Sequence, residues 1–373
     1  MTAVRSVAGE RVALHALAAD RARAWFPELV GHRVDVTLST LGSRPRANLL
    51  LLEIGDGGLQ RRAVVKIRRD PAESAANRPG LVPHVLPADQ QAALEFAGLR
   101  GIAAAVDPAD SRFGVVRALD HLPEMAAVVL EHVDQPTARR ALLAAARLGR
   151  LSPRRSLRPA VPAVFRHAGA WLRGFHATTD TYRLESRQET TAELVPLVAD
   201  YATFLAGQVG ARRTADLATE AAQAIAATLP ARLPTAVGHG DFAVRNLFVD
   251  ATGRVSVFDP LPRWRAPLHE DLARFLVSVR LLGLQVHSRG AAYSRGWLDA
   301  RESDFVSGYY GADPAPRGEL HAFQLLLLLD KWSAVVSQRG TSHRGRLRAP
   351  AGWVDGYVHG EARRLLAALE AAT

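Results

Sequence analysis

The chain has 373 residues and a formal net charge of +10, with 47 Lys and Arg against 37 Asp and Glu. It has no cysteine, which excludes disulfides and thiolate chemistry. No apolar run reaches the roughly 18 residues of a membrane span, and the chain does not open on a basic-then-apolar export signal. We therefore expect a soluble cytoplasmic protein without a membrane span, long enough for two lobes with a sizeable core.

Two strands are predicted near the start of the chain, over residues 34–38 and 48–54. The connection between them, residues 39–47, is predicted as a loop and contains one glycine, Gly42, followed by Ser43. Taken alone, this pattern is that of an ordinary hairpin.

A third strand is predicted over residues 62–67, Arg-Ala-Val-Val-Lys-Ile, with Lys66 among apolar neighbours. The chain has only two lysines, Lys66 and Lys331, whereas the other 45 of its 47 basic residues are arginine. A lysine here runs against the composition, and a compact ammonium on a flexible stem suits a nucleotide phosphate. The alternative is a strand-edge lysine whose ammonium reaches water.

A helix is predicted over residues 88–99, and two further strands over 115–119 and 126–133. The composition then shifts to alanine, leucine and arginine, which favours helices. We therefore predict an N-terminal lobe over residues 1–133 and a C-terminal lobe over residues 134–373.

Apolar residues recur at helical spacing over residues 165–176, which predicts a helix ending at His176. A single histidine at a helix end is more often a structural hydrogen-bond donor than an acid or base. The arginines over 139–173, including a proline-punctuated stretch at 151–159, allow nucleic-acid binding. Because they lack a recognition motif, a solvated face is the simpler interpretation, with no specific nucleic-acid partner.

The most informative segment is His-Gly-Asp-Phe-Ala-Val-Arg-Asn at 239–246, followed by two short apolar runs and Asp259. The runs, residues 247–249 and 254–258, are separated by the turn-like Asp-Ala-Thr-Gly, which predicts a β-hairpin. Its open end would carry Asn246 and Asp259, on strands about 4.8 Å apart. Two oxygen ligands together with substrate phosphates are what Mg²⁺ takes.

Asp241 lies five residues before Asn246, across one tight loop. A carboxylate there could accept the proton of an attacking hydroxyl, as in the catalytic loop of kinases. The alternative is that Asp241 caps a turn and Asp259 is an ordinary carboxylate at a strand end.

The pattern His-Gly-Asp-x-x-x-x-Asn, followed thirteen residues later by Asp259, resembles the aminoglycoside phosphotransferase family. That resemblance implies a bilobal protein-kinase-like α+β fold, with a small, mainly antiparallel β-sheet N-lobe and a larger, mostly helical C-lobe. It also implies that Asp241 is the catalytic base and that Asn246 and Asp259 are metal ligands. Lys66, in Val-Val-Lys-Ile, matches the kinase lysine of the Val-Ala-Ile-Lys pattern.

The same resemblance implies further nucleotide-binding residues. Glu95 is the expected helix partner of Lys66, with Glu73 as a weaker rival. Gly42, Ser43 and Asn48 match the phosphate-covering turn, although one glycine replaces several, so Arg44 or Arg46 could substitute by direct charge contact. The adenine is expected at backbone groups of the linker from Glu131 through Val133.

Two regions follow the hairpin. Asp271 opens a predicted helix, where it caps the helix or, as the resemblance implies, braces the catalytic loop. The acceptor pocket is expected within residues 280–345, which are rich in aromatic and basic side chains: Arg280, His287, Arg289, Tyr293, Arg295, Trp297, Tyr309, Tyr310 and Trp332.

These patterns predict a small-molecule kinase that uses Mg²⁺ and ATP or GTP to phosphorylate a hydroxyl. The basic net charge favours a sugar, a glycan intermediate or a related metabolite over a strongly cationic antibiotic. Generic protein substrates are disfavoured, because Gly240 replaces the usual arginine and Pro260 follows Asp259. The alternative is a non-catalytic, pseudokinase-like nucleotide-binding regulator or scaffold. The oligomeric state and the acceptor's identity stay open.

Overall fold

The structure, a computed structural model, describes residues 7–44, 46–56, 58–70, 79–81, 86–107, 109–146, 160–179, 183–337 and 351–371. The strands are β1 Asp35–Arg44, β2 Ala47–Gly55, β3 Gln60–Arg68, β4 Phe113–Gly114, β5 Ala118–Leu122, β6 Ala127–Glu131, β7 Thr235–Val237, β8 Leu247–Val249, β9 Val255–Val257 and β10 Arg265–Pro267. The helices are α1 Val7–Trp25, α2 Ala88–Ala105, α3 Ala138–Ala145, α4 Val161–Thr179, α5 Thr191–Val209, α6 Ala211–Thr228, α7 His269–Arg280, α8 Gly283–His287, α9 Arg295–Tyr310, α10 Arg317–Ser337 and α11 Ala351–Glu370.

The chain forms two compact units. The first contains Met1–Ala72, His84–Val106 and Val115–Asp134, and the second contains Glu73–Pro83, Asp107–Gly114 and Gln135–Thr373. None of the helices in the described ranges is long and apolar enough to cross a bilayer.

The first unit is built on an antiparallel sheet with strand order β1-β2-β3-β6-β5. Alternating apolar residues of β2 and β3 point into a core that α1 covers, with Leu14, Phe26, Leu52, Ile54 and Val65 fully or almost fully buried. Helix α2 packs against β3, β5 and β6. Strand β3 is central, which removes Lys66 from a sheet edge.

Two details of this sheet differ from the sequence prediction. Residues 39–44, predicted as loop, belong to β1, because a register shift at Leu41 lets the strand continue past Gly42. The strand predicted over 115–119 begins later, as β5, and ends where Pro123 starts a 3-10 turn. Helix α2 also continues beyond residue 99 to Ala105.

The second unit is mostly helical. Helices α5, α6, α10 and α11 share one large apolar core, which includes Tyr201, Leu326 and Trp332. Helices α4 and α9 approach closely, since a Cβ added at Gly169 would lie 2.1 Å from the Phe305 carbonyl oxygen and one at Gly308 2.0 Å from that of Arg166. The unit also holds two small sheets, β10-β7 and β4-β9-β8.

Candidate active site

The predicted β-hairpin is confirmed. Strands β8 and β9 pair antiparallel with Leu247 opposite Val257, and the N–H of Phe258 donates to the carbonyl oxygen of Asn246 at 3.0 Å. At the closed end, an Asp250 oxygen accepts the N–H groups of Thr252 and Arg254 at 2.9 and 3.0 Å. The hairpin therefore returns Asn246 and the segment before Asp259 to its open end.

Aromatic packing fixes the loop that precedes the hairpin. Phe242 is fully buried and stacks on Trp171 with ring centroids 5.7 Å apart, and it also contacts Phe275 and Phe305. The loop ends in a 3-10 turn, Val244–Asn246, which leads directly into β8. This anchoring leaves the preceding residue, Asp241, about a quarter exposed, where it can meet a ligand.

Asp241 and Asn246 are brought together directly. The Asn246 amide nitrogen donates to the Asp241 carbonyl oxygen at 2.9 Å and to its carboxylate Oδ2 at 2.8 Å. Both amide hydrogens of Asn246 are directed at Asp241, and the amide oxygen Oδ1 is left as an acceptor for another group. The other carboxylate oxygen of Asp241 pairs with Arg245. The arrangement fixes the carboxylate and leaves Asn246 suited to a metal.

Asp259 adopts a left-handed backbone conformation, with φ at +63°, which is uncommon for a residue other than glycine. The backbone is held on both sides, because Phe258 is bonded to Asn246 and the Leu261 N–H donates to the His239 carbonyl oxygen at 2.9 Å. Unfavourable backbone geometry that the surroundings enforce is typical of functional sites.

The residues fit Mg²⁺. The described residues contain no group of three or more His, Cys, Asp and Glu side chains arranged to hold a metal. Asn246 and Asp259 offer an amide and a carboxylate oxygen, and Mg²⁺ commonly takes one or two protein ligands together with water and phosphates.

His239 is a buried neutral side chain beneath the loop. Burial lowers the pKa of His239, against the opposing charges of Asp271, Asp241 and Asp259. The backbone N–H of Asp241 donates to Nδ1 of His239, with 3.4 Å between the two nitrogens. This histidine supports the loop by packing, since its ring also contacts Trp171 edge-on.

Of the two roles expected for Asp271, helix capping and bracing of the loop that carries Asp241, the structure shows the bracing contacts. The carboxylate accepts the backbone N–H of His239 at 2.5 Å and that of Gly240 at 3.3 Å. His176 lies 3.6 Å from the same carboxylate and, through Nδ1, 2.8 Å from the Tyr309 hydroxyl, so it is a structural group as expected. Burial alone would raise the pKa of Asp271, but the contact with His176 and the nearby charge of Arg274 hold it below its usual value.

Replacing Asp271 with asparagine is expected to reduce the free energy of unfolding by about 1.5–3 kcal/mol at pH 7, because charge-assisted hydrogen bonds to the loop are lost. The pKa of Asp271 is lower in the folded protein than in the unfolded chain. The extra stability of the wild type over Asp271→Asn is therefore complete above the usual carboxyl pKa of 3.8, and it is lost as the pH falls through the lower folded pKa. Urea unfolding of both proteins from pH 7 to pH 2.5 measures this difference. Equal stability at pH 7 would contradict the bracing role.

In the first unit, the structure joins Lys66 to Glu95 as predicted. The Lys66 ammonium donates to Glu95 Oε1 at 2.9 Å, and the glutamate is fully buried. Sequence reasoning missed a second cation, Arg68, whose Nε and Nη2 reach the other oxygen of Glu95 at 3.1 and 2.5 Å. The sequence does contain a signal for this contact, because residues 66 and 68 are two apart on strand β3 and therefore point to the same face of the sheet. Glu73 lies outside the described residues.

Glu95→Gln is expected to cost about 3 kcal/mol of stability, because it removes the carboxylate that two buried cations share. Glu53→Gln on the exposed face of β2 is the matched control and should change stability by less than about 0.5 kcal/mol. Thermal or urea unfolding of the two variants gives the comparison. Similar losses in both would show that the Lys66–Glu95–Arg68 cluster does not stabilise the sheet.

The residues of the expected phosphate-covering turn lie together at the β1–β2 hairpin. The Ser43 hydroxyl donates to Asn48 Oδ1 at 3.0 Å across the hairpin. A Cβ added at Gly42 would meet no atom of the described residues within 4 Å, so none of them sterically requires glycine there. Arg46 is exposed, and the Arg44 side chain lies outside the described part.

The expected linker begins at the end of β6. The Glu131 N–H donates to the Arg117 carbonyl oxygen at 2.9 Å and the His132 N–H to that of Arg62 at 3.0 Å. For the Val133 N–H, the described residues provide no hydrogen-bond partner. Of these three backbone donors, Val133 is therefore the one without a partner in the described part of the chain.

Several aromatic and basic residues in the region expected to bind the acceptor are structural instead. Arg280 is buried and bonds Glu302 at 2.7 Å, and the Tyr293 hydroxyl donates to the Leu142 carbonyl oxygen at 2.6 Å. The Tyr310 hydroxyl meets His269 at 2.9 Å, and Trp332 is almost fully buried. The polar groups of Arg280, Tyr293 and Tyr310 are therefore used in hydrogen bonds within the helical unit, as is usual for buried polar groups.

The described arginines of residues 139–173 fit a solvated face, and two of them pair with residues of α9. Arg166 bonds Asp304 at 2.8 Å, and Arg173 bonds the Tyr310 carbonyl oxygen at 3.2 Å. The predicted loop at 151–159 lies outside the described residues.

The antiparallel sheet of the first unit, the helical second unit and the hairpin that follows Asp241 and Asn246 define a protein-kinase-like phosphotransferase. The model of the APH phosphotransferase enzyme family matches residues 51–303. The chain belongs to this family, and the resemblance predicted from the sequence is confirmed.

Solved structures with the same fold are distant in sequence. A glucosamine kinase in complex with glucosamine, ADP and phosphate is 16% identical, with a TM-score of 0.51, over 94% of this chain and 83% of that one. A choline/ethanolamine kinase family protein from Mesorhizobium loti is 16% identical, with a TM-score of 0.52, over 95% and 98%. A microcompartment-associated aminopropanol kinase is also 16% identical, with a TM-score of 0.54, over 95% and 98%. No curated protein matches the chain.

Proposed function

We propose that this protein is a Mg²⁺-dependent kinase that transfers the γ-phosphoryl group of ATP or GTP to a hydroxyl of a small molecule. The observation that carries the proposal is the hydrogen bond from Asn246 to Asp241 at the open end of the hairpin that leads to Asp259. It holds a carboxylate and a free amide oxygen in a fixed arrangement, and phosphoryl transfer depends mainly on positioning and electrostatics.

In the second unit, Asp241 would position and deprotonate the acceptor hydroxyl. Asn246 and Asp259 would hold Mg²⁺ through the amide oxygen and the carboxylate. The metal, when bound, would neutralise charge on the transferred phosphoryl group. Asp271 would keep the loop in place without touching the reacting atoms.

In the first unit, Lys66 would orient the nucleotide phosphates, with Glu95 holding its ammonium. Gly42, Ser43 and Asn48 would cover the phosphates, and the backbone from Glu131 through Val133 would receive the adenine. We accordingly assign nucleotide binding to the lobe of residues 1–133, and catalysis and acceptor binding to the lobe of residues 134–373.

For the acceptor, we propose a sugar, a glycan intermediate or a related metabolite in preference to a strongly cationic antibiotic. The net charge of +10 supports this choice, because a basic protein field disfavours a polycationic ligand. A nucleoside triphosphate as co-substrate fits a cytoplasmic location.

The test is phosphoryl transfer by the purified protein with Mg²⁺-ATP and Mg²⁺-GTP against sugars, amino sugars, sugar acids, amino alcohols and nucleosides. Acceptor-dependent ADP or GDP formation that EDTA abolishes supports the proposal and names the acceptor class. Metal-dependent nucleotide binding without turnover on any acceptor would favour the non-catalytic regulator. Absence of nucleotide binding would contradict both.

A further inference from the structure

Trp264 is a partly exposed tryptophan whose indole ring has few partners in the fold. Of the six tryptophans in the chain, four have an aromatic ring contact or an indole hydrogen bond: Trp25, Trp171, Trp297 and Trp332. Within the described residues, Trp264 and Trp353 have neither and meet only an arginine guanidinium over the ring. Since a buried tryptophan usually finds a partner for its N–H, Trp264 has its ring and its donor available for a ligand.

Backbone hydrogen bonds place Trp264 beside the catalytic loop. Directly before β10, which pairs with β7, the Trp264 carbonyl oxygen accepts the Gly238 N–H at 3.1 Å. The Leu261 N–H donates to the His239 carbonyl oxygen at 2.9 Å. Gly238 lies three residues before Asp241, and three extended residues span at most about 11 Å. The backbone separation between Trp264 and Asp241 is therefore one that a single small molecule can span.

The segment that carries Trp264 is held against the loop. A Cβ added at Gly240 would lie 3.0 Å from the Leu261 carbonyl oxygen, so the two backbones are in close contact. Two prolines within residues 259–263 further limit the freedom of the segment. The residue opposite Trp264 in the strand ladder is Gly238, which has no side chain to cover the indole. Trp264 is thus presented on a fixed backbone at the edge of the site.

The charge beside Trp264 favours a neutral ring over a cation. The Arg263 guanidinium lies 4.5 Å from the centroid of the indole ring. The ring therefore already has one cation, and a second would be repelled by the charge of Arg263. A pyranose presents a flat face of C–H groups to an aromatic ring, and its hydroxyl oxygens can accept the indole N–H.

We propose that the acceptor is a sugar in its pyranose form and that its ring stacks on Trp264 while one hydroxyl faces Asp241. This inference rests on the proposed function, because the stacked sugar is the acceptor of the phosphoryl group. Trp264 sets specificity through acceptor binding and does not touch the transferred group. Its removal should therefore change KM for the acceptor and leave kcat nearly unchanged.

The first test follows Trp264 itself. Protein labelled with 5-fluorotryptophan gives a ¹⁹F signal for each tryptophan, and Trp264→Phe and Trp353→Phe assign two of them. With Mg²⁺-ADP present, at least one of glucose, galactose, mannose and N-acetylglucosamine is expected to shift the Trp264 signal. Choline and 1-amino-2-propanol should leave it in place, and the Trp353 signal should not respond to any compound. No Trp264 shift with any of the sugars, or an equal shift with choline, would overturn the proposal.

The second test is phosphoryl transfer to the same compounds. Trp264→Ala is expected to raise KM for the preferred sugar by about tenfold, the value of a stacking contact, with kcat within about threefold of wild type. Trp264→Phe keeps an aromatic ring and should recover most of the lost affinity. Trp353→Ala is the matched control, since Arg289 lies over that ring at 5.5 Å, and it should change neither constant. An unchanged KM in Trp264→Ala, or a loss confined to kcat, would overturn the inference.

The two tests separate this inference from the proposed function. Transfer to choline or 1-amino-2-propanol alone, with an unshifted Trp264 signal, contradicts only the pyranose acceptor. A selective shift with sugars, without transfer to any compound, contradicts only the kinase function.

Discussion

Asp259→Gly is expected to lower the rate of phosphoryl transfer by about 10³-fold or more. It removes the proposed principal ligand of the metal, and a bound metal is worth several kcal/mol to the transition state. The same substitution is expected to preserve or raise stability. Asp259 has φ at +63°, where a side chain costs about 1 kcal/mol and glycine does not. A folded, inactive protein would show that the fold tolerates this position without the carboxylate.

The control for Asp259→Gly is Asp250→Asn at the closed end of the same hairpin. Asp250 accepts N–H groups of the turn, so its loss should reduce stability and leave kcat of the folded protein nearly unchanged. Thermal unfolding and steady-state kinetics of both variants make the comparison. Turnover by Asp259→Gly within tenfold of wild type would refute the metal-ligand assignment.

Asp241→Asn is expected to lower kcat by about 10²–10⁴-fold, the usual contribution of a general base. Nucleotide affinity should be retained, because Asn246 keeps its bond to the backbone carbonyl oxygen of residue 241 and its amide oxygen keeps its orientation. Kinetics at saturating nucleotide, with an independent binding isotherm, separate the two effects.

Asp313→Asn is the matched control, since it makes the same change in an exposed carboxylate that pairs weakly with Arg173 at 3.4 Å. It should leave both kcat and nucleotide affinity unchanged. Should Asp241→Asn keep wild-type kcat, Asp241 would be a turn-capping residue and the base would have to be another group.

The part of the site that the sequence predicts is local. The spacing of residues 239–246 and the turn after Val249 are enough to predict the hairpin and the proximity of Asp241 to Asn246. Lys66 and Glu95 are 29 residues apart, and their pairing could be predicted only through the family resemblance.

What the sequence did not predict depends on long-range packing. Arg68 was missed because its hydrogen bonds to Glu95 form only when α2 packs on the sheet, and the sequence does not show where α2 packs. Strand β4 was not predicted, because its pairing with β9 joins residues more than 140 positions apart.

Local signals do not distinguish a pocket side chain from one with buried hydrogen-bond partners. The aromatic and basic residues of 280–345 looked suited to an acceptor pocket. In the structure, however, the polar groups of Tyr293 and Arg280 form hydrogen bonds with the Leu142 carbonyl oxygen and with Glu302. A tyrosine or an arginine has the same sequence signature in a pocket as in a polar helical core. Only the hydrogen-bond partners distinguish the two.

The most direct measurement is Mg²⁺-dependent ADP formation from ATP with the pooled acceptors, in wild type and in Asp259→Gly at matched folded concentration. The account predicts acceptor-dependent ADP formation in wild type, none after EDTA, and none above background in the variant. Equal ADP formation by the two proteins, or nucleotide binding by wild type with no ADP from any acceptor, would contradict the claim that this site transfers a phosphoryl group.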